Sequence, residues 1–185
     1  MRMRRAAQSP DEQVRAAARL ATHVVRTPYY YASRKIACYL PINGEIDPRV
    51  VIERIWHAGK ICYLPLVPRH VHKPLWFAPV YPDTPLAENR FGVPEPVVAT
   101  RELVRARRLD LLLLPLVGFD HKGNRVGMGS GFYDRTLSFL RGREHWKRPH
   151  AVGLAHDFQR VDTFEVDPWD IPLTAVITDK AVYSF

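Results

Sequence analysis

The sequence predicts an α/β protein, a three-layer α/β/α Rossmann-like domain with a mainly parallel sheet. Three observations predict it. Short apolar runs alternate with stretches of helical periodicity, and the runs stop at prolines 41, 65 and 115. The first strand–helix–strand succession spans about 30 residues, the length of a βαβ unit. No low-complexity linker interrupts the chain, so one domain over 1–185 is expected.

The elements follow in order. Ser9 suits a helix N-cap, Pro10 the first helical position, and Glu12 completes a capping box. Val14, Ala17, Ala18, Ala21 and Val24 then recur at helical spacing, and the helix should end near Thr27 and Pro28. Residues 36–40 read as a strand. Asp47-Pro48 opens a second helix with Val51, Ile52, Ile55 and Trp56 on one face and Gly59 past its end. Residues 61–64 form the next strand. A right-handed βαβ crossover makes the two strands parallel, ending at one edge. The proline-rich segment 68–96 holds one short strand at Leu75, Trp76 and Phe77. Residues 100–108 predict a charged helix, 109–114 a buried strand, and 132–140 a helix. Strands at 150–154 and 175–178 complete the set. Ligands of such sheets gather beyond the carboxyl ends of the strands.

Composition narrows the class. Hydrophobic residues are 46% and charged residues 25%, enough for a core and a polar surface. The longest apolar stretch, 109–119, contains Asp110 and falls short of the ~20 residues of a membrane span. The basic N-terminus has no apolar segment behind it, so a cytoplasmic protein without membrane association is expected. Cys38 and Cys62 each begin a Cys-Tyr-Leu-Pro string and form no CxxC pair. They read as reduced core residues on neighbouring strands, and a zinc site is not expected. A formal charge of +8 and a pI near 9.8 favour polyanionic partners: nucleic acid, nucleotides or carboxylated small molecules. The basic stretches 101–108 and 141–148, the latter with Trp146, could contact RNA phosphates. No recognised RNA-binding motif accompanies them, and nucleic acid is not the expected partner.

The strongest local signal is the loop from Arg125 to Arg135. Gly127, Gly129 and Gly131 alternate after a buried strand and before a helix. Without Cβ atoms the backbone can approach a ligand closely, and its N–H groups with the helix N-terminus suit phosphate oxygens. The pattern is neither a Walker loop nor the dinucleotide GxGxxG, and flexible turns also use glycine. Asp134 in the first helical turn suits either dipole stabilisation or a magnesium ligand.

The segment 109–135, LDLLLLPLVGFDHKGNRVGMGSGFYDR, resembles the signature of the 5-formyltetrahydrofolate cyclo-ligase family. YLPINGEID (39–47), FGVPEP (91–96) and PWDIPLTAVITD (168–179) resemble further family motifs in the expected order. Together they span nearly the whole chain.

The resemblance implies an enzyme that uses ATP and Mg²⁺ to close 5-formyltetrahydrofolate to 5,10-methenyltetrahydrofolate, releasing ADP and phosphate. It implies that Arg125, Val126, Gly127, Met128, Gly129, Ser130, Gly131, Phe132 and Tyr133 wrap the ATP phosphates. Arg2, Arg4 and Arg5 resemble the family's basic N-terminal segment, which contacts ATP; solvated charge is the alternative. Asp134 and Asp170 match magnesium ligands, although Asp170 alone could cap a turn. Arg125 and Asp134 are the candidate catalytic residues. Glu45 matches a substrate-binding glutamate, with a plain turn residue as the alternative. Leu40, Phe91, Met128, Gly129, Ser130, Gly131 and Phe132 would also meet the folate, while Trp76 and Phe77 could stack on it or belong to the core. Met128, Ser130 and Thr174 depart from residues common in the family, yet none removes a group the chemistry needs. A monomer is expected. A sugar-phosphate isomerase or acyl-CoA transferase on the same fold is the competing enzyme reading, with Glu45 its one obvious base.

Overall fold

The computed structural model describes all residues except 71, 143–147, 166 and 168, and Arg2 by its backbone alone. The basic stretch at 141–148, with Trp146, therefore lies largely outside the described residues, as does Pro168 at the head of the C-terminal motif.

Three helices open the chain: α1 (Arg2–Ala6), α2 (Pro10–Val25) and α3 (Pro28–Tyr31). The capping box of α2 forms as expected. The Glu12 amide donates to Ser9 Oγ at 3.3 Å, and the Ser9 amide donates to Glu12 Oε2 at 2.8 Å. The buried face of α2 is Ala16, Ala17, Leu20, Ala21 and Val24, whereas Val14 and Ala18 are exposed. Leu20 is the bulkiest apolar side chain of the helix and is fully buried. Its position fixes the face, rotated from the one that begins at Val14.

Strand β1 (Lys35–Ala37) is shorter than the apolar run that predicts it, although the Cys38 amide still donates to the Tyr63 carbonyl at 2.8 Å. Helix α4 (Arg49–His57) buries Val51, Ile52 and Ile55, and Gly59 follows at a φ of +65°. Then come β2 (Ile61–Leu66), β3 (Trp76–Val80), and a small hairpin of β4 (Leu86–Glu88) and β5 (Pro94–Pro96). Residues 100–108 do not form the expected helix. They make two single 3₁₀ turns around Val104, which exchanges both backbone hydrogen bonds with Phe77 at 2.9 and 3.0 Å. Pairing with the edge of β3 outcompetes local helix propensity there, and β-branched Val104 suits it.

Strand β6 (Leu111–Pro115) starts two residues later than the apolar run that predicts it. Asp110 is the cause: its carboxylate accepts the amides of Arg34 and Lys35 at 2.9 and 2.8 Å, fastening the entrance of β1. A second hairpin, β7 (Gly118–Phe119) and β8 (Arg125–Val126), leads to α5 (Phe132–Leu137), which tightens into a 3₁₀ turn at Ser138–Leu140. β9 (His150–Ala155), β10 (Ala175–Thr178) and β11 (Val182–Ser184) finish the chain.

The central sheet has seven strands in the order β11-β10-β9-β6-β1-β2-β3. β10, β9, β6, β1 and β2 are parallel, and β11 and β3 add antiparallel edges. Alternation along β6 divides the core. Leu111 and Leu113 face the cluster covered by α2 and α4, while Leu112 and Leu114 face the cluster with Phe77, Phe119 and Leu137. The second face is covered by α5 together with short turns. Cys38 and Cys62 are buried free thiols in the first cluster, and burial pushes the Cys38 thiol up to about 12. Among the described residues, no helix is long and apolar enough to cross a membrane.

Chain progression reverses between β1 and β6. From β1 the chain crosses to β2 on one side; from β6 it proceeds to β9 and β10 on the other. A crevice opens at such a switch point, beyond the carboxyl ends of the two strands.

Candidate functional site

A cavity of about 180 Å³ lies at this crevice. Leu40 and Glu45 reach it from the turn after β1, Pro65 and Val67 from the end of β2, and Pro115 from the end of β6. The glycine loop closes it from above with Gly127, Met128, Ser130 and Gly131. Arg125, Phe132, Tyr133 and Asp134 complete that side. Parts of the chain about 80 residues apart thus share one space because parallel strands deliver their following loops to one edge.

The loop is built for close approach. Gly129 has φ +90° and Gly131 φ +63°, conformations that a Cβ disfavours. Arg135 Nη2 donates to the Ser130 carbonyl at 2.6 Å and so braces the loop from outside. Among the described residues, none accepts a hydrogen bond from the backbone amides of 127–131. Those donors are available to a ligand. Helix α5 is only six residues long, so these amides matter more here than a helix dipole.

Arg125 is the buried charge of the site. Its side chain is 5% exposed; Nη1 donates to the Ile171 carbonyl at 2.5 Å, and Nη2 forms an ion pair with Asp134. Burial pulls its pKa down, while Asp134, Asp170 and Tyr133 oppose that. The bond to the Ile171 carbonyl brings the C-terminal segment back beside the loop, with Asp170 one residue away in the chain. Asp170 also accepts the Asp167 amide at 3.0 Å, the turn-capping role open to it from sequence.

Asp134 contacts Arg125, and Asp170 adjoins the Ile171 carbonyl that the same guanidinium donates to, so carboxylate oxygens of the type Mg²⁺ takes together with phosphate lie on this side of the site. Among the described residues, no group of three or more His, Cys, Asp or Glu side chains gathers to hold a metal. Asp134 and Asp170 would share the ion with phosphate.

Glu45 is 6% exposed, and its Oε2 accepts the Ile42 amide at 3.1 Å. Burial raises its pKa; that amide and nearby Arg5 pull the other way without overcoming it. A carboxyl with a raised folded-state pKa contributes its full stability below the unfolded value, and that contribution is lost as pH rises through the folded value. Ionised Glu45 is thus a net cost to the apo protein. Glu45→Gln should raise the apo unfolding midpoint at neutral pH and leave it nearly unchanged near pH 4, as calorimetry at the two pH values would measure.

The three N-terminal arginines differ. Arg2 is placed by its backbone in α1. Arg4 is exposed and lies over the Phe158 ring, 4.7 Å from its centroid, and the His156 ring stacks on Phe158 with centroids 5.2 Å apart. Arg5 is fully buried, and among the described residues nothing accepts a hydrogen bond from its Nε, Nη1 or Nη2. Its backbone packs on Gly44, where a Cβ would come within 3.0 Å, so α1 is docked against the turn that carries Glu45. A buried guanidinium without an acceptor is costly unless an anion completes it.

Some expected contacts do not join the cavity. Phe91 is 56% exposed at the tip of the β4–β5 hairpin, with Arg90 over its ring. Phe77 is core, and Trp76 lies beneath the Arg105 guanidinium on β3. Val126 and Gly129 belong to the loop without lining the cavity. Sequence reading missed the brace from Arg135, and it gave no role to Glu95, which lines the cavity from β5. Its placement between two prolines inside a recognised motif was the available signal.

The model of the 5-formyltetrahydrofolate cyclo-ligase family matches residues 1–179. The chain is 39% identical over 185 residues to the 5-formyltetrahydrofolate cyclo-ligase of Escherichia coli (strain K12), covering 100% of both chains. It is 35% identical over 168 residues to the Haemophilus influenzae cyclo-ligase, covering 90% of this chain and 87% of that one. The solved 5,10-methenyltetrahydrofolate synthetase of Aquifex aeolicus superimposes with a TM-score of 0.82 at 30% identity, covering 99% of this chain and 88% of the other. The chain belongs to the 5-formyltetrahydrofolate cyclo-ligase family.

Proposed function

We propose that the cavity at the β1–β6 switch point closes 5-formyltetrahydrofolate to 5,10-methenyltetrahydrofolate at the expense of ATP. The observation that carries this reading is the meeting of unspent loop amides, buried Arg125 and buried Glu45 around one space. A sugar-phosphate isomerase or acyl-CoA transferase is not favoured, because the family and the relatives that match the whole chain are cyclo-ligases and methenyltetrahydrofolate synthetases.

The chemistry needs alignment and charge neutralisation more than a protein nucleophile. The formyl oxygen attacks the γ-phosphorus of ATP, and the bond to ADP breaks. The carbon then bears a phosphate leaving group. N10 attacks that carbon, the carbon–oxygen bond breaks, and phosphate departs with the former formyl oxygen while N10 gives its proton to solvent.

The amides of 127–131 bind phosphate oxygens, and Arg125 lies against the transferred phosphoryl group. Arg5, beside the 42–45 turn, is the N-terminal arginine that takes a phosphate of the nucleotide. Glu45 accepts N–H groups of the pterin, and Leu40, Met128 and Phe132 supply apolar walls. Mg²⁺ held by Asp134 and Asp170 with the nucleotide supplies charge neutralisation when bound.

The test is direct. Purified protein with magnesium-ATP and 5-formyltetrahydrofolate should generate the near-ultraviolet absorbance of the methenyl product, and only when ATP is present. No product, or product formed equally without ATP, would sink the reading.

A further inference from the structure

We propose that Glu95 is a second folate-binding carboxylate, reading a pterin-side N–H from the part of the cavity wall that β5 supplies. This rests on the cavity being the folate site. Glu45 and Glu95 both line that cavity, and each is fastened through one oxygen. Glu45 Oε2 accepts the Ile42 amide. Glu95 Oε1 accepts the Val67 amide at 2.7 Å and Asn89 Nδ2 at 2.6 Å. Among the described residues, no donor meets Glu95 Oε2. The anchored oxygen fixes the carboxylate at the cavity wall, and the other oxygen is left to accept from a ligand donor in place of water.

The anchors are themselves ordered. Asn89 Oδ1 accepts the amides of Phe91 and Val93 at 2.8 and 3.2 Å, which shapes the tip of the β4–β5 hairpin. Arg90 donates to the carbonyls of Arg69 and Pro68 at 2.7 and 3.2 Å, tying that tip to the chain beyond β2. Glu95 therefore sits on a braced wall, as a specificity contact requires.

The ligand's chemistry supplies the donor. A reduced pterin presents N–H groups at N3, at N8 and on the 2-amino substituent, and N10 carries another. One free oxygen of Glu45 cannot accept them all, and Asp134 is taken on the nucleotide side by Arg125 and the metal it would hold. An N–H buried without an acceptor weakens binding.

Glu95→Gln separates this role from bracing alone. Its amide oxygen can keep the Val67 and Asn89 donors, but its –NH₂ sets donor against donor at the ligand. The Kd and KM for 5-formyltetrahydrofolate should rise by roughly tenfold or more, with the ATP KM and the unfolding midpoint nearly unchanged. Glu95→Ala should show the same folate defect and also a lower midpoint. A Glu95→Gln protein whose folate Kd stays within about twofold of wild type would overturn the proposal. So would equal losses for folate and ATP. If wild type itself fails to bind 5-formyltetrahydrofolate in the same titration, the functional reading falls as well, and the two failures are told apart.

Discussion

Asp134→Asn is expected to lower kcat about a thousandfold, the scale on which a phosphoryl transfer depends on charge stabilisation. The substitution keeps an oxygen that can accept from Arg125 Nη2, so the guanidinium stays in place. It removes the negative charge that would hold the metal against phosphate. Breaking a fully buried ion pair costs roughly 3–5 kcal/mol. The Asp134 side chain is 31% exposed, and Arg125 keeps the Ile171 carbonyl. A smaller loss of about 1–2 kcal/mol follows, leaving a folded protein. Steady-state kinetics beside circular dichroism would check both halves. A variant with wild-type kcat would remove Asp134 from the mechanism.

Arg5→Met separates binding from stability. Each charge-assisted hydrogen bond lost to a phosphate costs about 1.5–3 kcal/mol, so the ATP KM should rise by about 10–100-fold. The unfolding midpoint should change little, because losing a buried guanidinium with no hydrogen-bond acceptor among the described residues offsets losing the cation near buried Glu45. Methionine follows the stem of arginine closely enough to keep α1 docked on Gly44. Initial rates over an ATP series and a thermal melt give the answer. An unchanged ATP KM would return Arg5 to a purely structural role.

Much of the fold was legible because strand periodicity and proline punctuation are local. The helix signature at Ser9, Pro10 and Glu12 produces the capping box, and the run at 175–178 is a strand with those limits. What escaped depends on distant partners. Val104 joins β3 only because Phe77 is there to pair with it. The antiparallel edge β11 depends on β10 offering an open side.

The site divides the same way. The alternating glycines announce a loop that can approach phosphate, and the motif at 39–47 marks Glu45. The sequence does not tell which arginine is buried without a partner. Arg2, Arg4 and Arg5 have the same chemistry, and only the docking of α1 against Gly44 distinguishes Arg5. Phe91 shows the converse. An aromatic inside a recognised motif suggests a ring contact, yet it ends exposed at a hairpin tip while Glu95 beside it faces the cavity.

The seat of the nucleotide is open to one measurement. Isotope-labelled protein can be titrated with magnesium and a non-hydrolysable ATP analogue while its backbone amide resonances are followed. The amides of Gly127, Gly129 and Gly131 should shift together and saturate with the ligand, moving further when 5-formyltetrahydrofolate is added. Saturable binding that leaves those three amides unmoved, with shifts confined to another surface, would contradict a phosphate seat in this loop.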